Sequence, residues 1–155
     1  RGKMQIPTES TNRNMMTMVA VFEYMISNGD WSVPANHNIK LLYKKNEQTV
    51  PYAIPYDFDH SGFVNAGYAL PSEILGTETV KERVYRGFAR TMEELQAILD
   101  IFRAKRSSIN SLIMNFPYLS ARNKKELVEY LDEFYSTINN KSDVKKAFID
   151  NARTN

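Results

Sequence analysis

The sequence predicts a mainly α fold with a small β-hairpin, an α+β arrangement. Three observations carry this expectation. Apolar residues recur at helical spacing before residue 28 and again from residue 78 onward. Between those regions two short β-like runs, "NIKLLYK" and "VPYAIPYDF", flank the polar turn "KNEQT". No apolar run approaches the roughly 18 residues of a membrane-spanning helix.

Residues 1–10 are polar and contain Pro7, and read as an opening strand or loop. "TESTNRNMMTMVAVFEYMISN" begins with several good N-cap residues. Met15, Met18, Val19, Phe22 and Met25 or Ile26 form its apolar stripe, so the methionines belong to a buried helix. The helix should end near Asn28-Gly29, where either residue can take the left-handed cap. Pro51 and Pro55 cannot donate ladder hydrogen bonds, so the hairpin should be short, with proline on an unpaired side. Residues 57–77 form a long loop, the kind that is usually functional or mobile. "TETVKERVYRGF" is expected to be a short helix ending near Gly87; the four basic residues of "KERVYRGFAR" are candidates to hold phosphate, with a solvated helix face the favoured reading. "TMEELQAILDIFRAKRSSINSLIMNF" opens with a capping box, Thr91 to Glu94, and carries the stripe Leu95, Ile98, Leu99, Phe102, Ile109, Leu112, Ile113 and Phe116. Pro117 stops it. "SARNKKELVEYLDEFYSTINN" places Leu127, Leu131, Phe134 and Ile138 on one face. "SDVKKAFIDNA" closes the chain as a short helix starting at Ser142 or Asp143.

The 155 residues suit one domain with a real core, read here as 1–77 (hairpin and site loops) and 78–155 (helical subdomain). Hydrophobic residues make up 43% and charged residues 25%, and the net charge is +2. No basic block stands apart from acidic neighbours, so nucleic acid is not an expected partner. The absence of cysteine excludes a disulfide scaffold, a thiolate zinc site and a cysteine nucleophile. No signal peptide or membrane span lies within the chain. It opens on Arg1-Gly2-Lys3 without an initiator methionine, which suggests a fragment or processed product.

The polar chemistry gathers between residues 28 and 62. Asp30 follows the first helix, Asn38 starts one strand, and Asp57 ends the other, with Asp59 just behind it. Antiparallel strands share an open end, so Asn38 and Asp57 should lie side by side. Oxygen ligands of this kind suit magnesium, which takes one or two carboxylates plus phosphate oxygens. Kinase-like enzymes use a base Asp, a metal Asn and a metal Asp in that chain order.

The stretch "NGDWSVPANHNIKLLYKKNEQTVPYAIPYDFDHSG" resembles the catalytic core of the spore-coat CotH-type atypical kinases. It is also similar to the aminoglycoside- and choline-kinase pattern, in which an apolar strand runs into Asp-Phe-x-x-Ser-Gly-like residues. The whole chain resembles the C-terminal half of a family of uncharacterised bacterial proteins, with "VPYDFD.SG", "RERVYRGF" and "EYLDEFY"-like stretches; that likeness carries no function with it. The kinase resemblance implies the C-terminal lobe of a kinase-like fold, with the N-terminal lobe missing and acting as partner. It implies Mg2+ and ATP as cofactors, Asp30 as the catalytic-loop aspartate, and Asn38, Asp57 and Asp59 as metal ligands. Asp30 and Asn38 are eight apart, longer than the usual kinase spacing, so Asn36 is an alternative amide. No Gly-rich nucleotide loop and no strand lysine with a helix glutamate partner are present, so the chain alone is expected to be inactive.

Other readings stay open. "DFDHSGFVN" has oxygen ligands at calcium-loop positions 1, 3 and 5 and glycine at 6, but Tyr68 stands where a bidentate glutamate is required. His37, Asp57, Asp59 and His60 would make a hydrolytic transition-metal centre. Asp57, Asp59 and Asp30 also suit plain turn chemistry. Trp31, Tyr52, Tyr56, Phe58 and Tyr68 are candidates for pocket walls or for packing. The second functional class is a non-catalytic, pseudokinase-like binding module that uses loop 57–77.

Overall fold

The computed structural model describes residues 5–46 and 50–154. It has a mainly α-helical fold with one two-stranded antiparallel hairpin. The chain forms two compact units. One runs to Phe88 and takes back Arg153; the other is Ala89–Ala152.

In the first unit a 3-10 turn at Thr8–Ser10 leads into helix α1, Arg13–Ile26. The Asn12 side chain accepts a hydrogen bond from Met15 N at 3.0 Å and so starts the helix. Only Arg13 and Glu23 are charged in its 14 residues, and it is buried on most of its circumference. Met16, Val19, Ala20, Met25 and Ile26 are fully buried, whereas Met15, Met18 and Phe22 are half-buried. The predicted stripe is therefore too narrow, because loops cover the helix on more than one side. Its left-handed cap is Ser27, one residue before the predicted Asn28-Gly29.

Strands β1 (Ile39–Leu42) and β2 (Tyr52–Pro55) pair in the register Ile39↔Pro55 to Leu42↔Tyr52. Part of the predicted 45–49 turn, residues 47–49, lies outside the described residues. Tyr56 N donates to Asn38 O at 3.0 Å, which makes 38 and 56 a hydrogen-bonded pair. Such pairs alternate along an antiparallel ladder. Pro55 therefore falls where no amide is needed, as its sequence position suggested. Ile39 and Ala53 on the inner face pack with Met16, Val19, Trp31 and Val33. Burying a large apolar side chain contributes about 1.5–3 kcal/mol, so this cluster fastens the hairpin to α1. Asn12 N also donates to Pro51 O at 2.8 Å.

Residues 57–77 form the expected long loop, broken only by a 3-10 turn at Glu73–Leu75. The helix predicted over 78–88 is absent. The Glu82 carboxylate takes the amides of Glu78 and Thr79 at 2.9 and 2.7 Å, which makes a single turn. Residues 83–87 carry no helical hydrogen bonding. Arg83 and Arg86 reach back to carbonyls near the end of α1, and a helix would draw them away.

In the second unit helix α2 spans Met92–Asn115, α3 spans Ala121–Ile138 and α4 spans Lys141–Val144. The last runs on as a wider π-type turn over Lys145–Asp150. Its cap is Asn140, not Ser142 or Asp143, because Asn140 Oδ1 accepts from Asp143 N. Leu95, Ile98, Leu99 and Phe102 pack with α3, and Leu131, Phe134, Tyr135 and Ile138 are buried. Tyr135 donates its hydroxyl to Phe102 O at 2.9 Å. Leu112 and Phe116 do not join this core and are exposed.

Both halves of the capping box form: Thr91 Oγ1 accepts from Glu94 N, and the Glu94 carboxylate accepts from Thr91 N. Thr91→Ala removes one half, so denaturant unfolding followed by helical signal should show a loss of about 1 kcal/mol. An unchanged midpoint would mean that water caps the helix equally well.

Candidate functional site

Both stretches that carry the candidate site residues hang on the C-terminal end of α1. A helix leaves its last carbonyls without intrahelical partners. Here Phe63 N bonds Ile26 O at 3.0 Å, Gly62 N bonds Ser27 O at 2.9 Å, and Arg83 Nε bonds Met25 O at 3.1 Å. Ser27 Oγ lies 2.8 Å from Val80 O and 2.9 Å from Glu82 O, its one proton shared between two carbonyls.

Beyond Ser27 the chain folds back on itself. Asn28 Oδ1 accepts from Asp30 N at 3.1 Å. Trp31 and Val33 enter the core. Ser32 and His37 exchange both backbone hydrogen bonds at 2.9 Å, and Asn36 turns the chain with φ 51°. This return delivers His37 and Asn38 to Asp30. His37 Nε2 lies 2.7 Å from Asp30 Oδ1. Asn38 Nδ2 donates to Asp30 O at 2.8 Å and to Asp30 Oδ2 at 3.0 Å. Of the two candidate amides, Asn38 is the one that meets Asp30. Its donor is thereby committed, which leaves Oδ1 as its unspent acceptor. Asn38 has φ 52°, and Asp57, just past its strand partner Tyr56, has φ 61°. Asn and Asp take this left-handed region more readily than other non-glycine residues, and Asn46 and Asn65 do so as well.

Asp57 and Asp59 form a second group. Asp57 is among the groups that act on the Asp59 carboxyl. Tyr68 donates its hydroxyl to Asp59 Oδ2 at 3.0 Å and stacks edge-on against the His60 ring. The Tyr68 hydroxyl holds the Asp59 carboxyl below its ordinary range, and the same bond raises the Tyr68 phenol. Phe58 packs edge-to-face on Phe22 at 5.5 Å, which fixes the residue between the two carboxylates. Ser61, fifth in the candidate calcium loop, is wholly buried and accepts from Val64 N. Tyr68, the twelfth, is spent on Asp59. Among the described residues no three His, Cys, Asp or Glu side chains group to hold a metal ion. The four-residue centre of His37, Asp57, Asp59 and His60 is thus not assembled: His37 is turned to Asp30, and His60 to Tyr68.

Sequence reasoning missed Arg86 and Glu23. The basic residues of "KERVYRGFAR" were expected on a solvated helix face. Arg86 instead donates to Gly29 O at 2.5 Å and Trp31 O at 2.6 Å, and lies over the Trp31 ring at 5.0 Å. It clamps the backbone on both sides of Asp30. Burial lowers its pKa and Arg153 adds repulsion; Glu23 and Asp30 oppose both. Glu23 is 2% exposed on α1, and neither carboxyl oxygen has a hydrogen-bond partner among the described residues. Asn28 Nδ2 favours its ionised form, yet no bond of normal geometry joins the two. Burial dominates and raises Glu23 to about 7. The signal was available: Glu23 is the only acid in α1. Of the aromatic candidates, Trp31 is core and Phe58 packs on Phe22, while Tyr56 lies under Lys40.

Beside Asp30 opens a cleft of about 100 Å³, walled by α1's exit, His60 and residues 70–84. No family model, curated protein or solved structure matches the chain.

Glu23 sets a pH dependence. Its folded-state pKa, about 7, lies above the ordinary 4.5, so the native state binds the extra proton between those values. Stability is then full below pH 4.5, falls as pH rises toward 7, and is level above it. The loss is at most about 3 kcal/mol. Denaturant titrations at pH 5 and pH 8 should show Glu23→Gln without that decline. Equal declines in variant and wild type would assign the proton elsewhere.

Proposed function

We propose that residues 30–59 carry the acid–base and metal half of a magnesium- and ATP-dependent phosphotransferase, in a unit similar to the C-terminal lobe of kinase-like enzymes. One observation carries the reading: the Asn38 amide binds both the carbonyl and the carboxylate of Asp30, while Tyr56 pairs with Asn38 and Asp57 follows one residue beyond that partner. Base, metal amide and metal carboxylate follow the chain order of kinase-like sites.

Asp30 positions the acceptor hydroxyl and takes its proton. Each of its oxygens makes one side-chain hydrogen bond, and each keeps a further lone pair for that proton. His37 and Asn38 hold the carboxylate in one orientation. Asn38 Oδ1 and Asp57, assisted by Asp59, would hold magnesium, which neutralises charge on the phosphates when bound. Arg86 keeps the Asp30 backbone in place. The nucleotide's remaining contacts belong to a second lobe, because the cleft here is far below the roughly 300–1,000 Å³ of drug-sized ligand sites.

Manganese, as a paramagnetic substitute for magnesium, should broaden the amide resonances of residues 38 and 57–60, and Asp57→Asn should abolish the effect. A spectrum that manganese leaves sharp overturns the metal assignment. In the protein extended upstream of Arg1, Asp30→Ala should lower phosphoryl transfer by roughly 10²–10⁴-fold while leaving the unfolding midpoint in place. Undiminished transfer removes Asp30 from the role of base.

A second reading takes the chain as a non-catalytic binding module. It is favoured by the Tyr68–Asp59 bond, which uses a carboxylate to close loop 57–68. Destabilisation by Asp57→Asn, with no response to manganese, calcium or Mg·ATP in wild type, selects that reading.

A further inference from the structure

We propose that the cleft beside Asp30 is the acceptor subsite, and that it takes a small hydroxyl compound bearing no negative charge. The inference rests on the phosphotransfer reading and names the substrate class for that site.

Three features of the cleft lead to it. The first is size, since about 100 Å³ admits only a handful of heavy atoms. The second is charge. Asp30, Glu82 and His60 are its ionisable wall residues, and among the described residues no lysine or arginine lines it. A phosphate ester or carboxylate entering here would lose water and gain no lysine or arginine in exchange, a costly desolvation. The third is an unspent donor. Asn28 lines the cleft and is 3% exposed; its Nδ2 acts on the Glu23 carboxyl but completes no hydrogen bond with it or with any other of the described residues. A buried donor left unpaired costs about 1–3 kcal/mol, and a second hydroxyl or ether oxygen on the acceptor would satisfy it. Leu70, Pro71, Leu75, Val80 and Val84 give the apolar part of the wall.

The reaction balances with a nucleoside triphosphate as phosphoryl donor. The acceptor oxygen bonds the γ-phosphorus as the bond to the β,γ-bridging oxygen breaks. The hydroxyl proton passes to the Asp30 carboxylate, and the nucleoside diphosphate leaves.

The test is an NMR titration of the chain, without metal or nucleotide, using four probes. Glycerol is neutral and serinol carries an amine; glycerate and glycerol 3-phosphate are their anionic counterparts. Glycerol or serinol should shift the Asn28 side-chain amide and the Asp30 backbone amide, and the anions at equal concentration should not. Which of the two shifts them more tells a neutral acceptor from a cationic one. Leu75→Phe, which fills the cleft, should weaken binding by roughly tenfold. Asn28→Asp keeps the Oδ1 that holds Asp30 N but removes the donor, and should weaken it comparably. No shift with glycerol or serinol, or equal shifts with the anions, overturns the proposal. Alcohol binding with no manganese response at Asp57 overturns the phosphotransfer reading and the acceptor role with it, leaving a binding site. A manganese response without alcohol binding overturns the subsite and spares that reading.

Discussion

The carbonyls left without helical partners at the end of α1 are the constraint on which the rest of the first unit depends. Buried carbonyls must find donors, and here the donors come from stretches distant in sequence. Gly62 and Phe63 arrive from the loop after the hairpin, and Arg83 arrives from residues 78–88. Ser27, in the left-handed conformation, turns the chain away and gives its hydroxyl to Val80 and Glu82. Satisfying one helix end thus collects the segments that bear Asp30, Asp57 and Asp59. The polar cluster is in that sense a by-product of capping.

Much of this was legible in the sequence wherever the signal was local. The Thr91–Glu94 box, the Pro117 stop and the α3 stripe each depend on residues within a turn or two, and each formed. The hairpin was legible because proline spacing and the ladder's alternation agree. Asp30, Asn38 and Asp57 could be singled out by residue type and order, and the pairing of Asn38 with Asp30 follows from the tight return at residues 32–37. What was not legible depended on partners far along the chain. The pattern of "TETVKERVYRGF" suits a helix, but bonds from Arg83 and Arg86 to α1 and to residues 29–31 outweigh that local preference. Ser27 replaced Asn28-Gly29 as cap for a similar reason: its hydroxyl had two carbonyls to reach.

Glu23 shows the cost of that arrangement. An acid within a helix that is covered on most sides loses its water, and among the described residues the cation acting on it is Arg86, already committed to Gly29 and Trp31. The same guanidinium steadies the Asp30 backbone and moderates the buried acid. Charge, packing and backbone geometry are therefore coupled through one side chain. A change at Glu23, Arg86 or Trp31 acts on the same few atoms, so their effects should not add.

The reach of that guanidinium also bears on the order in which the molecule takes shape. Arg86 lies 57 residues beyond Gly29, and Val80 lies 53 beyond Ser27. Contacts of such separation form only after a long loop has closed, and the entropy of closure must be met before they contribute anything. During synthesis α1 and the hairpin can associate as soon as residue 56 is available, whereas the turn around Asp30 waits another thirty residues for its clamp.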